Sequence, residues 1–349
     1  MHLESQPPLY AISVFFDPYQ TAFRRTLFER FVKKISSYDI SLIVVELAFG
    51  DRPFDVTESG NPNHVQLRAG VGSEFFIKGA LVNRGFQRLA SVDRAWRKAV
   101  WIDGDVAFLR DDWVEKTLSG LDHYAVLQPW SNSIDLGPDY EVVTNEWGHD
   151  VDKSFGAAFV GGDGMFQDPN LPEEGYGRGD WRAHAGYAWA IRRETFDGIG
   201  GVIDWMVTGN EDYMMAMGFS GKLRAFIIKE EQEKKRTFTA GYKRRLLHFA
   251  DLCDRHVKRN LGYVPGTLCH GWHGRKGDRG YLSRVKINEL SSFCPDTHLV
   301  YDSQGIPLIT DENLALRDLL RKWMKSRCEN ATEVEPRDPA FISRNSPRW

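Results

Sequence analysis

The first 130 residues alternate between apolar runs and stretches of helical spacing. Residues 9–16 (LYAISVFF) combine β-branched and aromatic side chains and predict a strand. Past the turn signal Asp17-Pro18, Phe23, Leu27, Phe28 and Phe31 recur at three- and four-residue spacing, which predicts a helix. Residues 40–47 (ISLIVVEL) predict a second strand, followed by a Pro/Gly/Asn-rich loop at 50–63. Phe75, Phe76, Leu81, Phe86 and Leu89 then mark one face of a helix over about 74–90. The runs 99–102 and 124–129 predict two more strands. Strands this apolar, separated by helices, predict an α/β fold with a mostly parallel sheet covered on both faces.

Residues 131–182 are rich in Gly, Asp, Asn and Pro, show little periodicity, and are expected to form a long functional loop. Regular structure resumes at 185–192 (AGYAWAIR), with helices expected from Glu194, from about Asp212, over 228–260 and over 311–327. Residues 329–349 read as a polar tail, and there is no internal repeat.

Composition narrows the class. The 349 residues, 42% of them hydrophobic, suit one large or two small domains and exclude a disordered, collagen-like or disulfide-stapled chain. No run approaches the ~18 apolar residues of a membrane span, and MHLESQPPLY lacks the features of a secretory signal, so a cytoplasmic protein with no membrane partner is expected. Cys253, Cys269, Cys294 and Cys328 show no CxxC spacing, so reduced thiols are expected. The net charge of −3 conceals a polarised chain. Residues 1–220 carry 20 Lys and Arg against 32 Asp and Glu, whereas residues 221–290 carry 17 against 7. Such a basic stretch is either a solvated face or an attraction for phosphate.

Three local features carry chemistry. Asp103-Gly104-Asp105 follows Val100-Trp101-Ile102, where two carboxylates at the carboxyl edge of a strand can hold a divalent cation against a diphosphate. The competing reading is a hairpin, with Val106-Ala107-Phe108-Leu109 returning beside 99–102. Cys269-His270-Gly271-Trp272-His273-Gly274, followed by Arg275-Lys276, offers an imidazole to the same cation. Cys253, Cys269, His270 and His273 composing a zinc site is the alternative. Gly209-Asn210-Glu211-Asp212 places carboxylates at a helix start, as a general base or as capping residues. There is no P-loop, HExxH or GxSxG, and Gly70-Val71-Gly72 does not continue as a dinucleotide fingerprint.

In this order, over about residues 9–285, VWIDGD, the HAGYAWAIRRETFDGIGG block, GNED and HGWHGRKGDRGY resemble the GT-A nucleotide-sugar glycosyltransferases, with VWIDGD as their DXD motif. The pattern is most similar to phage-encoded members, which include glycosyltransferases acting on hydroxymethylpyrimidines in DNA and relatives of the base J glucosyltransferase. The resemblance implies a Rossmann-like GT-A domain over 1–290, with a nucleotide-sugar half at 9–130 and an acceptor and metal-closing half at 131–290. Residues 291–349 would form a helical C-terminal extension and tail.

It further implies Asp103 and Asp105 as the metal and diphosphate region, His273 and then His270 as a third ligand, Asp212 as the base of an inverting transfer, and Glu211 as its fallback. Phe16, Asp17, Lys78, Asn83, Gly104, Gly186, Tyr187 and Trp189 become donor contacts, with Arg275, Lys276 and Arg279 on the diphosphate. Trp189, Trp205 and Trp272 become acceptor contacts. The implied cofactor is Mn²⁺ or Mg²⁺ and the implied donor a UDP-sugar, UDP-glucose first. The expected acceptor is a hydroxymethylpyrimidine in DNA, in a host cytoplasm if the protein is phage-encoded, and the basic stretch and the 13% aromatic content agree with that. A glycan acceptor, a non-catalytic nucleic-acid-binding protein and a zinc-stabilised structural protein are the alternatives. Oligomeric state is not encoded in any of these features.

Overall fold

The computed structural model describes residues 9–70, 73–144, 149–163, 166, 183–232, 237–275, 277–280 and 283–332. The amino-terminal part runs β1 (Tyr10–Phe16), α1 (Ala22–Ile35), β2 (Ser41–Phe49), β3 (His64–Ala69), α2 (Lys78–Val92), β4 (Lys98–Ile102), β5 (Val106–Phe108), α3 (Trp113–His123) and β6 (Val126–Gln128). The middle holds β7 (Asn132–Leu136), β8 (Val142–Val143), β9 (Asp152–Ser154), α4 (Phe155–Gly161), β10 (Ala183–His184), β11 (Ala188–Arg192), α5 (Arg193–Ile199), α6 (Glu211–Phe219), α7 (Leu223–Gln232) and α8 (Ala240–His256). It closes with β12 (Leu261–Tyr263), β13 (Thr267–His270), α9 (Ser283–Leu290), β14 (Leu299–Tyr301), β15 (Pro307–Ile309) and α10 (Leu314–Lys325).

A seven-stranded sheet in the order β12-β6-β11-β4-β1-β2-β3 forms the scaffold. Its pairings are parallel except those of β11, which runs antiparallel to both β4 and β6. The chain is therefore α/β with a mostly parallel sheet, as its apolar strands predict, and a helix lies near the C-terminal end of the described chain. Ile12, Ile43, Val45, Leu81, Leu89 and Trp101 are fully or almost fully buried in one core cluster, which Leu316, Leu320, Trp323 and Met324 of α10 join. Burying an aliphatic side chain of this size contributes about 1.5–3 kcal/mol, so α10 is held by its apolar stripe.

The second sheet, β10-β9-β7-β13-β5 with β8 beside β7, is what sequence periodicity does not predict. Half of its strands, β7, β8 and β9, lie in the stretch expected to be loop. They are two to five residues long, and β7 and β5 find their partner in β13, more than a hundred residues away. Short strands with distant partners leave no local alternation. The α4 helix inside the same stretch is marked by Ser154, whose hydroxyl accepts from Ala157 N–H, and by left-handed Gly162 at its end. The region 228–260 is likewise not one helix but α7 and α8, and Thr239 caps α8 by accepting from Tyr242 N–H.

The hairpin reading of Asp103-Gly104-Asp105 is corrected. A strand does follow, but β5 pairs antiparallel with β13 rather than with β4, placing His270 opposite Val106. The Asp-Gly-Asp turn is a bridge between the two sheets.

Candidate functional site at the junction of the two sheets

β4 ends at Ile102 in the middle of the large sheet, and the backbone N–H of Asp103 donates to Tyr187 O across 2.7 Å. Three residues on, Gly271 N–H donates to Asp105 O across 2.8 Å. These two bonds fix the turn against β11 on one side and the histidine loop on the other.

Asp105, His270 and His273 form the one group of three or more metal-ligating side chains among the described residues, with ligand atoms all within 4.8 Å of one another. Asp105 Oδ2 lies 3.2 Å from His273 Nε2 and 3.7 Å from His270 Nε2. Among the described residues, Asp105 Oδ1 and both ring nitrogens of His273 are buried without a hydrogen-bond partner. Buried polar atoms are normally satisfied, so Asp105 Oδ1 and His273 Nε2, both orphaned within this group, fit a cation as their missing partner. One carboxylate and two imidazoles are a competent donor set for a divalent transition ion. Burial alone would raise the Asp105 carboxyl, but the facing His270 and His273 outweigh it and hold it well below the carboxylate range. Burial likewise lowers His270, yet Asp105 and Asp135 lift it to about 9. His273 falls to about 4 through burial and then the Arg279 charge. Binding at these atoms would therefore displace a proton from His270 and none from His273.

Beside this group, Lys78 joins the other two carboxylates. Its Nζ sits 2.7 Å from Asp103 Oδ1 and 2.9 Å from Asp212 Oδ2. Burial would lower the ammonium, but Asp103 and Asp212 hold it well above its ordinary value. Burial, opposed by Lys78 and assisted by Asp212 and Asp105, pushes Asp103 up to about 6. Asp103, expected as a ligand, thus faces Lys78, and the three-residue cation group contains Asp105 alone from the DXD turn.

The two candidate bases differ sharply. Asp212 keeps about a fifth of its side chain exposed. Glu211 is 3% exposed, both of its oxygens lack partners, and burial followed by the Asp212 charge pushes its carboxyl up to about 8. A neutral, buried acid cannot serve as the base near neutral pH, so Asp212 is the better placed of the two. Both start α6 behind Gly209 and Asn210, whose φ values of 72° and 79° are left-handed. Gly and Asn are the residues that tolerate this conformation, which explains the Gly-Asn pair before the carboxylates.

The remaining expected residues separate into those at the site and those behind it. A Cβ at Gly186 would lie 3.7 Å from Asp212 Oδ2, so Gly186 faces that carboxylate. Tyr187, left-handed at φ 73°, stacks on His184 and donates its hydroxyl to Asp135 Oδ1 across 3.3 Å. Gly104 faces the Phe28 ring. Arg275 pairs with Asp278 at 3.0 Å, and buried Arg279 donates to Gly274 O. Lys276 lies outside the described residues. Asp17 accepts from the backbone N–H groups of Tyr19 and Thr21 and from the Thr21 hydroxyl, making a turn. That turn borders a cavity of about 330 Å³ walled by Arg24, Met324, Lys325 and residues 327–331.

Several calls move away from the site. Trp189, expected against donor and acceptor, is fully buried, donates to Ala185 O and packs on Phe219. Trp205 is 8% exposed and edge-on to Tyr242, so neither indole offers a stacking face. Asn83 clamps both backbone groups of Val202 at 3.0 Å, and Phe16 is buried against Phe76. Trp272 is half-buried and donates to Ala331 O. The Cys/His zinc set does not assemble among the described residues, because Cys253 is in the main core under α6. All four cysteines are free thiols.

Two functional neighbours were missed by sequence reasoning. Asp135 binds His270 Nδ1 at 2.8 Å. Glu329 lies 3.7 Å from His273 Nδ1 and pairs with Arg24 at 3.3 Å and Arg327 at 2.5 Å. Burial would raise the Glu329 carboxyl, and these cations hold it far below its ordinary value. Asp135 gave no signal because its strand was not recognised, and Glu329 was hidden in a segment that reads as a polar tail.

Several cations of the basic stretch are paired with carboxylates. Arg224 pairs with Asp251 and Asp254, Lys243 with Glu231, and Arg244 and Arg245 with Asp296. No helix among the described residues is long and apolar enough to cross a membrane.

No protein-family model matches this chain, and no curated protein does. Among solved structures it is similar to the catalytic domain of Drosophila β1,4-galactosyltransferase 7 with xylobiose, at 15% identity and a TM-score of 0.26. It is also similar to a variant of that enzyme in complex with manganese, UDP-Gal and xylobiose, at 16% identity and a TM-score of 0.28. Both alignments cover 60% of this chain and 59% of the galactosyltransferase chain, so this chain spans less than two thirds of those structures. A third similarity covers 92% of this chain and 98% of a Desulfovibrio desulfuricans G20 protein provisionally described as a nucleotide-diphospho-sugar transferase, at 12% identity and a TM-score of 0.30.

Proposed function

We propose that this protein is a metal-dependent glycosyltransferase that moves a sugar from a nucleotide-diphosphate donor to a hydroxyl, with inversion. The observation that carries the reading is the Asp105, His270 and His273 group, with Asp105 two residues on from Asp103, which Lys78 links to Asp212. A cation site and a partly exposed carboxylate at the carboxyl end of a central strand are what such a transfer needs. Asp105, His270 and His273 would hold Mn²⁺ or Mg²⁺, which would supply positive charge for the departing diphosphate. Asp212 takes the proton of the attacking hydroxyl at its carboxylate, and Lys78 keeps that carboxylate oriented toward the face of Gly186. Lys276, Arg275 and Arg279 are assigned to the diphosphate side. The cavity beside Asp17 supports seating the donor's nucleoside there, in the 9–130 half. Residues 131–290 then supply the histidines and the acceptor side, and the extension that begins at 291 contributes Arg327 and Glu329 to the wall of the donor cavity.

For the finer assignment we take UDP-glucose as donor and a 5-hydroxymethylpyrimidine in DNA as acceptor, in the cytoplasm of a phage host. The excess of cations in 221–290 supports a polyanion as acceptor. The pairing of Arg224, Lys243, Arg244 and Arg245 with carboxylates favours a second reading, in which the acceptor is a small glycan.

One experiment addresses both. The purified protein is incubated with Mn²⁺ or Mg²⁺ and a panel of UDP-sugars, with hydroxymethylated DNA or small glycans as acceptor. UDP release and nucleoside mass spectrometry are then read. A hexose mass on the modified nucleoside supports the DNA acceptor, and transfer to glycans alone replaces it with the second reading. Absence of transfer to every acceptor by metal-loaded protein would falsify the proposal.

A further inference from the structure

We infer that Asp135 is a positioning residue for the cation site: it fixes the ring of His270 so that Nε2 points at Asp105. The inference rests on the metal reading of Asp105, His270 and His273 given above. β7 and β13 run parallel with Asp135 and His270 as directly paired residues, so their side chains leave the same face of the second sheet. The pair is bonded, Asp135 Oδ1 to His270 Nδ1 at 2.8 Å, and both side chains are at least nine-tenths buried. The other ring nitrogen, Nε2, then faces Asp105 Oδ2 at 3.7 Å. Tyr187 restrains the carboxylate in turn, with its hydroxyl on the same Oδ1 at 3.3 Å and its ring 5.0 Å from that of His270.

The alternative is that Asp135 merely satisfies a buried imidazole. Against it stands the arrangement of the two nitrogens. A ring with Nδ1–H committed to a carboxylate has its remaining lone pair on Nε2, and that is the atom within the group of three. Histidine ligands to metals are commonly oriented in this way by a carboxylate on the far nitrogen, and losing that partner typically lowers metal affinity by about 10- to 100-fold. His273 has no equivalent. Its Nδ1 is 3.7 Å from Glu329 without a hydrogen bond, and Glu329 is already paired with Arg24 and Arg327. The two histidines are therefore held differently, and only His270 depends on a bonded carboxylate.

The test is Mn²⁺ binding to full-length protein with neither donor nor acceptor present, by calorimetry and by electron paramagnetic resonance, whose nitrogen couplings count the bound imidazoles. Wild type is expected to show two imidazole couplings. Asp135→Ala is expected to lose about 10- to 100-fold in Mn²⁺ affinity and one coupling. Asp135→Asn, whose amide oxygen still accepts from Nδ1–H, is expected to recover most of the affinity, which a loss of mere packing would not do. Unchanged affinity and couplings in Asp135→Ala would overturn the inference, as would a wild type that binds no Mn²⁺. Should Asp135→Ala not fold, ¹⁵N NMR of the wild-type protein loaded with a diamagnetic divalent ion decides the matter, since a His270 ring that still carries its proton on Nε2 in that state is incompatible with the assignment. If Mn²⁺ binding depends on Asp135 while no sugar is transferred, the positioning role stands and the transferase reading falls.

Discussion

Lys78 and Asp212 meet across 2.9 Å although they are 134 residues apart, and the same ammonium reaches Asp103 at 2.7 Å. One cation from the start of α2 thus ties the turn after β4 to the start of α6. Replacing it leaves two partly buried carboxylates facing each other. Lys78→Met is expected to cost on the order of 2 kcal/mol, below the range for a fully buried pair because both acids retain some exposure. Urea unfolding checks the value. A stability equal to wild type would mean the cation is not what holds the two elements together.

The general base separates from its neighbour by mutation. Asp212→Asn is expected to lower kcat by about 10²- to 10⁴-fold with the fold intact, whereas Glu211→Gln leaves most of it. Steady-state transfer kinetics would discriminate, and the opposite ranking would exchange the two roles.

Glu211 also predicts a pH dependence. Its folded-state value of about 8 lies above the ordinary 4.5, so the unfolded chain gives up this proton first as pH rises. Between those values the native state binds more protons than the unfolded state, and this group's contribution to stability falls steadily with increasing pH. Glu211→Gln should remove that slope and stabilise the protein at pH 8 relative to wild type. Denaturation midpoints measured from pH 5 to 8.5 that stay parallel for the two proteins would contradict the raised value.

Metal should act as a stabilising ligand. At a hundred times its dissociation constant, a cation bound only by the folded protein adds about 2.7 kcal/mol. Mn²⁺ is therefore expected to raise Tm, chelator to reverse the rise, and Asp105→Ala to abolish it. A Tm in Asp105→Ala that still responds to Mn²⁺ would move the site elsewhere.

Gly79 marks how tightly the site is supported from behind. A Cβ there would come within 2.0 Å of the Ile203 carbonyl oxygen, a backbone atom with little freedom to move. Gly79→Ala is expected to destabilise by about 1–3 kcal/mol through overpacking and to displace Lys78, its chain neighbour. Thermal unfolding together with transfer kinetics would register both effects.

Sequence alone determined the class of this fold and the chemistry available to it. Apolar runs such as YAISVFF and KAVWI must be buried on both faces, and that requirement by itself calls for helices on either side of a parallel sheet. It also offered Asp105, His270, His273 and Asp212 as candidates, each beside a structural reading as a hairpin, a zinc site or a helix cap, and grouped them through the order of their motifs. Tertiary structure decided the rest. The sequence could not distribute Asp103 to Lys78 and Asp105 to the histidines, since that depends on β5 leaving β4 to pair with β13. It could not separate Asp212 from Glu211, adjacent residues whose difference is burial. Nor could it find Asp135 or Glu329, which reach the histidines through strand pairing and C-terminal packing across long sequence separations. Periodicity records which residues must leave water; which charges then face one another is set only when distant segments close on the same point.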